Sequence, residues 1–279
     1  MNDTAHGEPR SGLLRRKWIV LSTLVAAALL AFPTISEAAP VAGVPVKPKA
    51  TVVVVHGAFA DSSSWNDVVA ELDRQGYPVL SVANPLRDLA GDSAYLSSVL
   101  DTISGPVVLV GHSYGGAVIT DGATGHTNVH ALVYIAAFAP DEGESGLAIL
   151  NGYPGSELPP ALVVRPFPGG QDAYIDQAAF RKVFAADVST VKARLMAVAQ
   201  RPVALAAFAE PSSAPAWQTI PSWYLVAGAD RAIPPAAQQA MAQRANAHTV
   251  VVPGASHAVL VSHPEATANL IEAAAQATS

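Results

Sequence analysis

Hydrophobic and polar positions along this chain alternate between two rhythms. Short apolar, β-branched runs at 51–55, 79–82, 106–110, 131–137, 223–227 and 248–252 are separated by stretches with helical spacing near 63–75, 93–103, 115–123, 235–245 and 264–277. Apolar runs this short, with little polar alternation, suit strands buried on both faces. Strand and helix in regular succession, joined by right-handed crossovers, predict an α/β protein with a doubly wound, mostly parallel sheet. The rhythm breaks between 140 and 221. That segment opens with proline and acidic turns and carries a Pro- and Gly-rich stretch at 153–170. It then has helical periodicity over 173–184, 190–200 and 203–208, so a helical lid is expected there.

The N-terminus follows neither rhythm. Arg15-Arg16-Lys17 precedes an apolar run at 18–32, and Ser36-Glu37-Ala38 supplies small residues where a signal peptidase cuts. Residues 1–38 therefore read as a signal peptide and 39–279 as the mature domain, exported to the periplasm or the medium. The paired arginines followed by Lys and Trp-Ile resemble a twin-arginine signal, although Leu14 stands where Ser or Thr is usual. The apolar run is short for a bilayer span, so no stable membrane association is expected after cleavage.

Composition narrows the chemistry. The chain is 51% hydrophobic and 14% charged, which suits a sheet covered by helices. A net charge of −6 offers no basic footprint for nucleic acid. With no cysteine, thiol nucleophiles and disulfides are excluded.

The sharpest motif is Gly111-His112-Ser113-Tyr114-Gly115-Gly116, directly behind a buried strand and ahead of a helix. A serine on so tight a turn is pushed toward unfavourable φ/ψ with its hydroxyl presented outward, and Gly111 and Gly115 remove Cβ atoms the turn could not hold. The first N–H groups of the following helix would face an oxyanion formed on Ser113. A serine hydroxyl needs a base and the base an orienting acid, which in such sites follow in the order Ser, acid, His. Asp230 ends the run 222–229, and His257 follows the run 249–252 across Pro253-Gly254. Asp141, behind the run 131–139, is a rival acid. Upstream, the strand 51–55 enters His56-Gly57-Ala58-Phe59, where the Ala58 N–H is the better second oxyanion donor beside that of Tyr114. His56 reads as structural and His112 as packing below the nucleophile, while the other histidines lack metal-ligand spacing. Phe59, Trp65, Phe138, Phe167, Met196 and Trp217 are candidates to line a pocket, and as a set they favour an apolar substrate.

Over about 50–277 these motifs resemble the α/β-hydrolase superfamily. The segment His56-Gly57-Ala58-Phe59 to Trp65, together with Gly-His-Ser-Tyr-Gly-Gly, resembles its small bacterial esterase-like members and the plant methylesterase and hydroxynitrile lyase group. The resemblance implies the α/β-hydrolase fold with its lid after the sixth family strand. It also implies a serine hydrolase that needs no cofactor, in first place a carboxylesterase acting on a small or medium apolar ester through an acyl-enzyme. The fold also hosts lactonases, amidases, slow-turnover ligand-binding proteins and cofactor-free oxygenases or perhydrolases, and these stay open. Lyases of the group carry Thr at the position of Gly57 and Lys where this chain has Ala258, so lyase chemistry is disfavoured. The family's first two antiparallel strands are hard to find ahead of residue 51. Oligomeric state is not legible.

Overall fold

Strands of Val, Leu and Ile packed shoulder to shoulder make the centre of the molecule. In the computed structural model, which describes residues 48–279, these are β1 (Thr51–Val55), β2 (Val79–Val82), β3 (Val107–His112), β4 (Val129–Ile135), β8 (Ser222–Ala227) and β9 (His248–Val252). They form one six-stranded sheet in the order β2-β1-β3-β4-β8-β9, and every neighbouring pair is parallel. The expected signal peptide and residues 39–47 lie outside the described residues.

Alternation along the strands divides the core in two. Val53, Val55, Val107 and Leu109 face a layer built from α2 (Leu89–Leu100), α3 (Tyr114–Gly122) and α8 (Pro235–Arg244). Val52, Val54, Val108 and Val110 face α1 (Asn66–Arg74), α9 (Val259–Ser262) and α10 (Pro264–Ala277). Burial on both faces is why these strands read as continuous apolar runs.

The segment expected to be a helical lid holds strands as well as helices. Between β4 and β8 the insert holds α4 (Gly146–Gly152), α5 (Gln177–Phe184), α6 (Thr190–Ala199) and α7 (Leu205–Ala209). It also holds β5 (Leu162–Phe167), β6 (Gly170–Ile175) and β7 (Val203–Ala204), which form a separate three-stranded antiparallel sheet. The Pro- and Gly-rich stretch at 153–170 ends in a hairpin whose turn uses Gly169 at φ 101°. The helix expected from 173 begins at Gln177, because the Asp176 carboxylate caps it by accepting from the Ala178 and Ala179 N–H groups.

The insert is moored to the sheet layer at several places. Arg87 donates to the Asp172 carboxylate at 2.8 Å and to the Pro202 carbonyl at 3.1 Å. Glu210 receives the Leu89 N–H at the start of α2 at 2.5 Å. Lys192 on α6 pairs with Asp67 on α1 at 2.7 Å.

Candidate active site

The carboxyl ends of β1, β3, β8 and β9 converge, and each delivers one part of the site. Ser113 follows β3 and precedes α3 with φ 54° and ψ −124°, a conformation that L-residues hold only under constraint. Its carbonyl accepts from Gly116 N–H at 2.9 Å and Phe138 N–H at 3.1 Å, which fixes the turn. A Cβ on Gly115 would stand 2.5 Å from the Val55 carbonyl oxygen, so β1 and the elbow approach each other through a glycine. Ser113 is 5% exposed, and its hydroxyl makes no hydrogen bond among the described residues.

His257 is buried, and its Nδ1 lies 2.7 Å from Asp230 Oδ2. Asp230 is held on all sides. Its Oδ1 accepts from the Ala232 and Ile233 N–H groups at 2.7 and 3.0 Å, and its Oδ2 from the Gln238 side-chain amide at 2.7 Å. With Asp230 as the acceptor at this contact, the proton of His257 sits on Nδ1 and Nε2 is left as the acceptor. Asp141 is elsewhere: its carboxylate receives the Glu142 N–H at 2.9 Å and the Gln218 amide at 3.2 Å. Gln238 was not singled out by the sequence. It is wholly buried on α8, where its amide also donates to the Ile233 carbonyl and its oxygen accepts the Ala227 N–H.

The turn after β1 lies against the serine. A Cβ on Gly57 would meet Ser113 Cβ at 2.6 Å and Ser113 Oγ at 3.2 Å, so threonine has no room at this position. The Ala58 N–H and the Tyr114 N–H take no acceptor among the described residues, whereas the Phe59 N–H is committed to the Arg201 carbonyl of the insert at 3.1 Å. Phe59 itself sits at φ 61°. Strain of about 1–3 kcal/mol in a bulky residue persists only where its surroundings hold it, and here the Arg201 bond and the Phe184 and Phe208 rings do so. Two unclaimed N–H groups flanking a strained serine can stabilise a developing oxyanion.

The insert also brackets the histidine. The Phe184 ring stands edge-on to His257 at 4.8 Å, the Phe184 carbonyl accepts the Ala258 N–H at 2.9 Å, and Ser256 donates to Asp187. The candidate pocket residues separate. Phe59 and Met196 share a cavity of about 180 Å³ with Ala199 and Val261, whose rim carries the Asp67–Lys192 pair. Phe138 is buried three residues past the end of β4, its ring end near Gly146. Trp65 is fully buried in the core on the α1 face of the sheet. Phe167 lies against Arg87, and Trp217 donates to the Pro140 carbonyl at 2.8 Å beside Arg244. The aromatic rings nearest the oxyanion turn and the histidine from the insert are instead Phe184 and Phe208, which the sequence reading did not single out.

Burial pushes the imidazoles of His56 and His112 down, that of His112 well below the ordinary value. Below about pH 6.5 the unfolded chain takes protons that these folded imidazoles refuse, so stability falls as pH falls, by up to about 1.4 kcal/mol per pH unit for each histidine. Urea titrations from pH 7.5 to pH 5 are expected to show that decline, with a shallower slope in His112→Gln. An equal slope in the variant would assign the pH dependence to other groups.

A family model described as the alpha/beta hydrolase family matches residues 52–270. The "Carbendazim hydrolyzing esterase" of Nocardioides sp. (strain SG-4G) is 32% identical over 141 residues, which cover 46% of this chain and 57% of that protein. The chain thus spans somewhat over half the length of that relative. A pyrethroid hydrolase from Sphingobium faniae JZ-2 superposes with a TM-score of 0.68 at 26% identity, covering 82% of this chain and 98% of that one. A methylesterase from Arabidopsis superposes with a TM-score of 0.67 at 20% identity over 80% and 98%, a likeness of fold.

Proposed function

Because the chain belongs to the alpha/beta hydrolase family, we propose that it is a serine esterase that cleaves small or medium apolar esters through an acyl-enzyme. The reading is carried by the 2.7 Å contact of His257 with Asp230 beside a strained serine. In this route Ser113 Oγ attacks the ester carbonyl while His257 Nε2 takes its proton, and the N–H groups of Ala58 and Tyr114 hold the tetrahedral oxyanion. The histidine returns the proton to the leaving alcohol. It then draws a proton from water, which attacks the acyl-enzyme, releases the acid and restores Ser113. Asp230 keeps the imidazole in the required tautomer and stabilises its cation. The route uses no cofactor.

Support for an apolar substrate comes from Phe59, Phe184 and Phe208 around the oxyanion turn and from relatives named for hydrolysis of carbendazim and of pyrethroids. A panel of p-nitrophenyl esters of graded acyl length, run beside lactones and anilides, tests it. A stoichiometric burst followed by turnover of the esters is expected. Faster turnover of the lactones or anilides would replace the esterase reading with lactonase or amidase.

The cavity between Phe59 and Met196 sets the next expectation. Phe59→Ala and Met196→Ala should shift the preferred acyl length by about 1–3 kcal/mol in kcat/KM, the range for an apolar pocket contact. Phe167→Ala and Trp217→Ala should leave the profile alone, since both rings serve contacts away from the serine. The same chain-length profile in all four variants would remove the cavity from substrate recognition.

We further propose export by the twin-arginine route, on the strength of Arg15-Arg16-Lys17 and the small residues ahead of Ala39. Replacing both arginines with lysine should stop secretion, and the secreted parent should begin at Ala39. Secretion that survives the double substitution points to the general route, and a membrane-bound product retaining residues 18–32 to an anchor.

A further inference from the structure

We infer that His112 is a positioning residue for the base of the triad: its Nε2–H holds the main-chain carbonyl of His257 and so ties the base loop to the strand that carries the serine. This rests on the Ser113–Asp230–His257 reading of the site.

His112 is the last residue of β3, immediately before Ser113, and has no exposure to solvent. Its Nε2 lies 3.0 Å from the His257 carbonyl oxygen, and a carbonyl can only accept, so Nε2 carries the proton. The two imidazole rings are 4.8 Å apart, and the Trp65 and Phe184 rings stand nearly perpendicular to the His112 ring at 6.4 and 6.2 Å. Its Nδ1 is buried without a partner. Register explains the neighbourhood. The β1–β3 ladder ends at Val55 opposite Gly111, so His56 comes beside His112, and His56 in turn contacts the Gly57 carbonyl through Nδ1 at 2.9 Å. One histidine thus serves the base loop and the next the oxyanion turn. Desolvation keeps both neutral. A neutral donor suits the place, because a charged ring 4.8 Å from His257 would oppose the imidazolium that forms there in the reaction.

The hydrogen bond does what Asp230 cannot. Asp230 fixes the rotation of the imidazole about its Nδ1, whereas His112 fixes the height of the loop from which the ring hangs. A shift of about 1 Å in a catalytic group costs on the order of 10²-fold in rate.

The test uses the whole mature protein and a p-nitrophenyl ester. His112→Leu removes the donor and His112→Gln keeps an N–H near the Nε2 position. In the leucine variant kcat should fall about 10²-fold with KM changed less than about threefold, and glutamine should restore most of the loss, as expected for misplacement of a reacting group. Equal kcat in the parent and both variants, or a glutamine variant as slow as leucine at the same melting temperature, would overturn the proposal. Long-range ¹H–¹⁵N NMR of the unsubstituted protein supplies a readout that needs neither activity nor a stable variant. His112 should remain a neutral Nε2–H tautomer from pH 5 to 9, and an Nδ1–H or charged ring would equally overturn it. An inactive parent with the expected tautomer would count against the esterase reading and leave the contact intact.

Discussion

Ser113→Ala is expected to reduce ester turnover by about 10⁴-fold or more while the protein folds and melts almost as before. The two halves of that result have separate causes. Without Oγ no acyl-enzyme forms, so the remaining rate is what the oxyanion donors and binding alone provide. Stability is spared because the hydroxyl has no hydrogen-bond partner among the described residues, and its removal strands no buried group. The strain at φ 54° stays, since alanine and serine resist that conformation alike. Mass spectrometry after fluorophosphonate treatment identifies the labelled residue directly. Stoichiometric label on any peptide other than the one holding Ser113 would end the assignment.

Asp230→Asn should lower kcat by about 10³–10⁴-fold, whereas Asp141→Asn should change it little. The hydrogen bonds around Asp230 make the substitution unusually adverse. With its oxygen facing the Ala232 and Ile233 N–H groups, the new amide nitrogen would face the Gln238 amide and His257 Nδ1, two donors where the carboxylate had accepted. The histidine must then move its proton to Nε2, which disables it as a base for Ser113, and an unsatisfied donor costs a further 1–3 kcal/mol or so of stability. The Asp141 carboxylate meets the Glu142 N–H and the Gln218 amide at a partly exposed turn, where substitutions stay within about 0.5 kcal/mol. Reversal of the two results would move the acid to the end of β4.

The parallel sheet was legible because its central strands β1, β3, β4 and β8 are buried almost throughout, and a continuous apolar run between glycine- or proline-marked turns admits few other readings; the partly exposed edge strands β2 and β9 keep the same apolar, β-branched composition. The elbow, the Asp230 turn and the His257 loop were legible for a related reason: chemistry at a strand end leaves glycine, proline and the reacting residue together in a few positions. The insert was not. Its hairpin covers one side only, so Val163, Val164 and Arg165 face solvent and give no alternation, while Pro166 and Gly169-Gly170 read as breakers although Gly169 is the turn itself. Ala173 and Ile175, buried on β6, give only two strand-spaced positions, directly ahead of the helical pattern of α5. Trp65 looked like a pocket residue because it follows the oxyanion motif, yet the 3₁₀ turn at Ser62–Trp65 points it into the opposite core. Gln238 left no signal, since it is one of three glutamines in an alanine-rich helix and glutamines there normally mark the solvent face; only the tertiary fold reveals that this one carries three hydrogen bonds around the acid.

The attachment of the insert to both working loops bears on how specificity can be exchanged between relatives. Arg201 supplies the acceptor that holds Phe59 in its strained turn, and Phe184 and Asp187 supply those that hold the residues on either side of His257. A chimera that replaced residues 140–221 wholesale with a foreign segment would therefore import a new pocket and lose the acceptors on which this chain's own loops depend. Grafts confined to α6, whose Met196 reaches the cavity without bonding either loop, leave those acceptors in place, and under the proposed role of the cavity they are the exchangeable unit, with the rest of the insert inherited together with the sheet.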